Sequence, residues 1–133
     1  MNLKIITRDE VNFQRRTEAT IRFNHSGLIS LSKETSTRLN LKNGDQILFV
    51  FDQDFKTYYI GKAANGQKGF TISADKGKLT NSLKFNSSGL IDKFFKDQDL
   101  PALNKKSNIS ALFNVNVNNP IKQLGMTLYK LTN

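Results

Sequence analysis

Arginine is the residue type whose placement in this chain most clearly suggests chemistry. All five arginines precede residue 39, and every later cation is a lysine. A guanidinium group can grip a phosphate or a guanine with two parallel hydrogen bonds, whereas the lysine ammonium is a flexible point charge. The uneven distribution therefore predicts recognition of a partner by the front of the chain and weaker electrostatic steering by the rest. The arginines are Arg8, Arg15, Arg16, Arg22 and Arg38.

The net charge indicates an anionic partner. Twenty lysines and arginines against eleven aspartates and glutamates give a formal net charge of +9. A nucleic acid would be attracted by that field over a long range. A lysine-rich surface that is simply solvated is the alternative interpretation of the same charge.

Groups suited to catalysis or metal binding are sparse. His25 is the only imidazole and the chain has no cysteine, so the nitrogen and sulfur ligands of a zinc site are missing. Asp52 and Asp54 bracket a predicted turn, and three aspartates between 92 and 99 lie on or near a predicted helix. Neither group has the further partners that acid–base catalysis requires. We therefore expect no enzymatic activity, no metal site and no other cofactor.

Length and composition predict a single domain over residues 1–133. A hydrophobic content of 38% with ten phenylalanines is enough for a core. The longest purely apolar run, Ile47 to Phe51, is far too short to span a membrane. The charged start of the chain does not resemble a secretory signal, and the absence of cysteine suits a reducing compartment. These features predict a cytoplasmic protein that does not insert into membranes.

A nine-residue motif occurs twice. Residues 21–29 read IRFNHSGLI, and residues 83–91, which follow 62 positions later, read LKFNSSGLI with six of nine positions identical. The same offset keeps the apolar register further on, for example by mapping Phe51 onto Phe113. This pattern predicts two related halves, about 1–66 and 67–133, that pack around a pseudo-twofold axis. Under that hypothesis Phe23 and Phe85 occupy equivalent positions.

Local patterns predict a mainly β fold with two short helices at equivalent positions of the two halves. Ile21 and Phe23 alternate with polar residues, as in a half-buried strand. A turn at 24–27 leads into a second strand over Leu28 to Leu31, and Ser32 is a suitable helix N-cap. A second helix is predicted from just after Ser87-Ser88 to before Pro101, and further strands over 46–52, 56–62, 70–73, 108–116 and 126–131.

The segment from Arg22 to Ile60 resembles the AbrB/MazE-type swapped-hairpin proteins, which include transition-state regulators and antitoxins. The resemblance implies a swapped-hairpin barrel in which a duplicated chain supplies both halves, and it implies DNA contacts from basic residues around the first hairpin. Arg22 matches a strand position that is often basic in the family, and Lys33 and Arg38 lie on the helix that follows. The motifs concerned are Ile21-Arg22-Phe23, Ser26-Gly27-Leu28-Ile29-Ser30-Leu31, Leu39-Asn40-Leu41, Gly44-Asp45 and Ile47 to Phe51.

Charge and resemblance together predict a DNA-binding protein of the transcriptional-regulator or antitoxin kind. Its expected partner is nucleic acid, double-stranded DNA in particular, and its expected state is a monomer or a weak homodimer. The predicted contact residues are Arg8, Arg15, Arg16, Arg22, Lys33 and Arg38. Of these, Arg22 is expected to reach deepest into the DNA. The alternative is a non-enzymatic protein-interaction or structural scaffold module with an incidental basic surface, whose partner would be an acidic protein.

Overall fold

The computed structural model describes Leu3 and residues 18–64, 66–74, 83–100 and 110–132. These residues form eight strands and two helices. In chain order they are β1 (Thr20–Asn24), β2 (Leu28–Leu31), α1 (Lys33–Arg38), β3 (Gln46–Asp52), β4 (Thr57–Lys62), β5 (Phe70–Thr71), β6 (Leu83–Asn86), α2 (Ser88–Asp97), β7 (Ser110–Gln123) and β8 (Met126–Thr132).

All eight strands belong to one antiparallel sheet. Its order is β5-β3-β4-β8-β7-β1-β2-β6. A bridge between Ser73, just after β5, and Lys84 of β6 joins the two edges, so the sheet curls into a nearly closed barrel. Closure leaves few unpaired strand edges and gives the sheet one inner and one outer surface. The predicted mainly β barrel with two short helices is confirmed.

The core consists of the inward side chains of the strands and one face of α2. Alternation along β1 buries Ile21 and Phe23 completely, while Arg22 between them stays exposed. Phe94 of α2 is also fully buried. Its ring centroid lies 4.5 Å from that of Phe23 and 4.9 Å from that of Phe113 on β7. The helix thus shares the aromatic core of the barrel.

Helix α1 begins at the predicted N-cap. The Ser32 hydroxyl accepts the backbone N–H of Thr35 at 3.3 Å and that of Thr20 at 3.0 Å. The Thr35 hydroxyl in turn donates to the Thr20 carbonyl at 2.9 Å. These bonds fix the short helix against the start of β1 and satisfy backbone groups that the helix leaves free.

Strand β7 is longer than predicted. The alternation of the sequence indicated a strand ending at residue 116, but β7 continues to Gln123, with a register shift against β8 between Asn116 and Ile121. Asn118, Asn119 and Pro120 fall in this irregular stretch. They are residues that usually end a strand, although a bulge accommodates proline because its ladder hydrogen bond is already interrupted.

The repeated motif adopts two different structures. Ser26-Gly27-Leu28-Ile29 forms a turn and the start of β2, whereas the identical Ser88 to Ile91 forms the first turn of α2. The preceding residue accounts for the difference, because the Ser87 hydroxyl caps α2 by accepting the Leu90 N–H at 3.2 Å. The first copy has His25 at that position. The helix predicted after Ser87-Ser88 is therefore confirmed.

The two helices do not occupy equivalent positions, which corrects that part of the prediction. Helix α1 shifted by the repeat offset would correspond to residues 95–100, whereas α2 spans Ser88–Asp97. The physical reason is again the cap, since the N-cap Ser87 lies seven positions earlier within the repeat than the N-cap Ser32 of the first helix.

The repeated strands β1 and β6 flank β2 with the same register. Phe23 and Phe85 both lie opposite Ile29. Their aromatic neighbours differ, because Phe85 packs against Phe70 at 5.1 Å and Phe49 at 6.3 Å rather than against α2. The repeats are thus related by their shared pairing with β2. The twofold relation of Phe23 and Phe85 is not shown and stays a prediction.

The end of α2 is joined to β4 by polar contacts. The Tyr58 hydroxyl donates to the carboxylate of Asp97, and the Lys56 ammonium pairs with Asp99. The hydrogen bond from Tyr58 holds the pKa of Asp97 below its ordinary value. Lys93 lowers this pKa further, whereas partial burial raises it. Burial, together with the hydrogen bond to Asp97, raises the pKa of Tyr58 well above its ordinary value.

Truncation of Phe94 should be among the most damaging changes to the barrel. Phe94→Ala is expected to lower the free energy of unfolding by about 3–5 kcal/mol, because it removes a fully buried ring and leaves a cavity. Phe55→Ala is the control, since Phe55 is 80% exposed, and it should change stability by no more than about 0.5 kcal/mol. Urea denaturation followed by circular dichroism measures both, and equal losses would refute the role given to Phe94.

The Tyr58–Asp97 contact should make stability depend on pH in acid. The pKa of Asp97 is lower in the folded protein than in the unfolded chain, where an aspartate titrates at about 3.9. The ionised carboxylate therefore stabilises the fold above that pH, and this contribution is lost as the pH falls through the pKa of the folded state. Tyr58→Phe should therefore destabilise the protein near neutral pH, and its difference from wild type should shrink below about pH 4. Urea midpoints of both proteins across this pH range provide the test. A difference that does not vary with pH would contradict it.

Candidate nucleic-acid interface

Four neighbouring strands bring the basic residues of the repeated motif into one cross-strand row. Arg22 of β1 lies opposite Leu112 of β7 on one side and Ser30 of β2 on the other, and Ser30 in turn lies opposite Lys84 of β6. Because adjacent strands are about 4.8 Å apart, the backbones at Arg22 and Lys84 lie about 10 Å apart. The outward residues of β1, β2, β6 and the part of β7 before its register shift at Asn116 are hereafter called the basic face.

The basic face and the adjoining strand β8 carry no carboxylate. Strands β8, β7, β1, β2 and β6 contain four cations, Arg22, Lys84, Lys122 and Lys130, and neither aspartate nor glutamate. The acidic residues of the described part of the chain lie before β1, on β3, on the two helices or in turns. They are Glu18, Glu34, Asp45, Asp52, Asp54, Asp92, Asp97 and Asp99. Of the eight strands only β3, with Asp52, carries a carboxylate, so the acidic residues of the described chain lie almost entirely outside the sheet.

Asparagine supplies most of the other polar groups on this face. Asn24 and Asn86 lie at the ends of β1 and β6, and Asn114 and Asn116 follow each other on the outer side of β7. An asparagine amide both donates and accepts hydrogen bonds, so these side chains can bind phosphate oxygens as well as sugar hydroxyls or base edges.

Aromatic side chains on these four strands point inward. Phe23, Phe85 and Phe113 are all buried in the core. Proteins that hold single-stranded nucleic acid usually stack its bases on exposed aromatic rings. The described basic face offers no such ring and is better suited to the phosphates of a duplex.

The predicted contact residues have different environments. Arg22 is exposed and makes no ion pair with any described residue. Lys33 is exposed at the first position of α1, just beyond β2. The Arg38 guanidinium forms an ion pair with Glu34 one helical turn earlier, with 2.9 Å between Arg38 Nε and Glu34 Oε1. Arg38 also lines a polar cavity of about 360 Å³ near the β7–β8 turn, apart from the Arg22 row.

The structure thus brings one predicted residue, Arg22, to the middle of the basic face. Arg8, Arg15 and Arg16 lie outside the described residues. Lys84 is a candidate residue that the sequence interpretation missed, and the signal for it was present, since Lys84 is the repeat equivalent of Arg22. What the sequence did not reveal is that the two repeats share β2 as their common neighbour.

The residues that the structure describes lack two further features. Within them, no three or more histidine, aspartate or glutamate side chains gather into a group that could hold a metal ion. None of the helices in the same part of the chain has the length and apolar character needed to cross a membrane.

Comparison with known proteins gives no further guide. No protein-family model matches the chain, and no curated protein or solved structure is significantly similar to it. The resemblance to the swapped-hairpin proteins therefore stays a prediction, and the functional argument depends on the geometry of the basic face.

Proposed function

We propose that the protein binds double-stranded DNA through the basic face, with Arg22 and Lys84 as its central phosphate contacts. The observation that carries this proposal is the cross-strand row of Arg22 and Lys84 on four neighbouring strands that contain no carboxylate, with Arg22 exposed. Fixed positive charge of this kind displaces the counterions condensed on DNA, and their release supplies most of the affinity of sequence-independent binding.

The dimensions of the face favour contact with the backbone over deep reading of bases. Its four strands span three inter-strand gaps, about 14 Å in all. The major groove is about 12 Å wide and admits a two-stranded ribbon or a helix. The hairpin of β1 and β2 is flanked on both sides by β7 and β6, so it cannot enter the groove alone. The face is expected to rest on phosphates, which makes the binding tolerant of sequence.

Asparagine side chains fit the same mode of binding. Asn24, Asn86 and Asn114 surround the Arg22–Lys84 row on the outer side of the sheet. Uncharged amides that donate to phosphate oxygens position a protein on the duplex without reading its sequence. They also hold no negative charge that would oppose the approach of DNA.

The salt dependence of binding tests this proposal. Arg22→Ala and Lys84→Ala should each weaken binding to unrelated duplexes alike and reduce the slope of log K against log salt by about 0.9, the value expected for one lost phosphate contact. Fluorescence anisotropy with two duplexes of different sequence, titrated at several salt concentrations, measures both quantities. Arg38→Ala should have a smaller effect, because Arg38 already pairs with Glu34.

Lys96→Ala is the matched control. Lys96 is exposed on α2, and its loss changes the net charge by the same amount as either test variant. It should leave the salt slope unchanged. Equal effects of Lys96→Ala and Arg22→Ala would mean that only bulk charge matters. If the folded wild-type protein shows no saturable binding to duplex DNA at low salt, the proposed function is wrong.

A further inference from the structure

The turn between β7 and β8 holds a leucine in an unfavourable position. Leu124 and Gly125 both have positive φ, 56° and 74°, as in the two-residue hairpin turn that favours asparagine followed by glycine. A bulky side chain is strained in the left-handed region, where asparagine is tolerated better. Leu124 is nevertheless 68% exposed. The chain thus keeps an exposed apolar side chain where a polar one would fit the backbone better.

Leu124 borders an apolar surface on the outside of the barrel. Val50 of β3 and Tyr59 of β4 lie opposite each other and face outward. Leu128 of β8 is buried, but it does not belong to the core cluster inside the barrel. Ile121 of β7 lies opposite Leu128 and is 40% exposed. We call these five residues the outer apolar patch. Together with Asp52 and Gln123 they line an open cavity of about 310 Å³.

Charges on the two sides of this patch are opposite in sign. Asp52 follows Val50 by two residues on the same outer side of β3, whereas Lys130 of β8 lies opposite Tyr59. Tyr59 on β4 therefore has a strand with an acidic residue, β3, on one side and a strand with a basic residue, β8, on the other. A rotation of 180° about an axis that lies in the plane of the patch and runs along β4 over Tyr59 would bring Asp52 of one copy to the side of Lys130 of another. Such a surface is complementary to itself, as the interface of a symmetric dimer must be.

We propose that the outer apolar patch is the interface of a homodimer, with Leu124 of each copy inserted into the cavity of the other. The patch and the basic face share only strand β7, which places Leu112 and Asn114 on the basic face and, after its register shift, Ile121 in the patch. The dimer therefore does not depend on the proposed DNA binding. A uniformly basic or acidic partner would match only one side of the patch, whereas a second copy matches both.

The dependence of self-association on salt should be opposite to that of DNA binding. Two copies that each carry a formal charge of +9 repel each other, and salt screens this repulsion. Contacts between apolar side chains are not weakened by screening, and exposed ion pairs contribute little to affinity. Moderate salt should therefore favour the dimer.

Sedimentation equilibrium from micromolar to near-millimolar protein tests the proposal. The wild-type protein should form a dimer in a concentration-dependent way. Leu124→Asn should remain monomeric over the same range, and its thermal midpoint should be equal or higher, because asparagine suits the left-handed position. A wild-type protein that stays monomeric throughout, or a dimer that persists in Leu124→Asn, would overturn the interface.

A charge exchange tests the symmetry of the interface. Asp52→Lys should weaken dimerisation roughly five- to tenfold and Lys130→Asp somewhat less. A symmetric dimer contains each ion pair twice and each variant replaces attraction by repulsion, but Lys130→Asp also lowers the net charge of each copy. The double variant restores opposite charges across the axis and should recover most of the wild-type association. If the double variant is as weak as the single ones, the twofold arrangement is wrong.

Discussion

The packing of Phe94 against Phe23 is the contact on which the rest of the structure depends. Phe23 is an inward residue of β1, and its burial fixes the two neighbours of Phe23 on β1, Arg22 and Asn24, on the outer side of the sheet. Phe94 ties α2 to the same point and also meets Tyr58 of β4, at 4.7 Å between ring centroids. One aromatic cluster therefore sets the orientation of a helix and of strands that are distant in the sheet. The basic face exists because this cluster occupies the other side of β1.

Segregation of charge follows from this arrangement. The strands of the basic face alternate between core residues and uncharged or basic residues, so none of their positions is acidic. Carboxylates are placed instead where they have local partners. Glu34 pairs with Arg38 within α1, Asp97 accepts from Tyr58, and Asp45 lies 3.4 Å from the Lys62 ammonium. Each of these contacts holds a carboxylate away from the basic face, whose strands carry only basic and uncharged side chains.

Much of the fold could be predicted from the sequence because its signals are local. Strand β2 at Leu28–Leu31 and strand β3 at Gln46–Asp52 have the predicted bounds, and Ser32 caps α1 as expected. The different fate of the second repeat was also predictable, since Ser87 is a helix N-cap residue whereas His25 is not.

The candidate site was only partly predictable because its members are distant in the sequence. Lys84 joins Arg22 only through the pairing of β2 with both β1 and β6, and one repeated nonamer cannot reveal the order of strands in a sheet. The β7–β8 turn was missed for a different reason. Leu124 is not a turn residue by type, and the pairing of the two hairpin strands, Ile121 with Leu128 and Gln123 with Met126, holds it there. Local propensity predicts only the features that tertiary contacts do not override.

Strand β7 links the two surfaces that carry the proposals. Before its irregular stretch, Leu112 and Asn114 lie on the basic face, opposite β1. After it, Ile121 lies opposite Leu128 and belongs to the outer apolar patch. A bulge turns a strand and re-aims its side chains, so one element contributes to a polar surface and then to an apolar one. Since the patch and the basic face consist of different residues and share only β7, a dimer formed through the patch would leave both basic faces uncovered. Such a dimer could hold two DNA segments at once, and the second would then bind at a raised effective concentration.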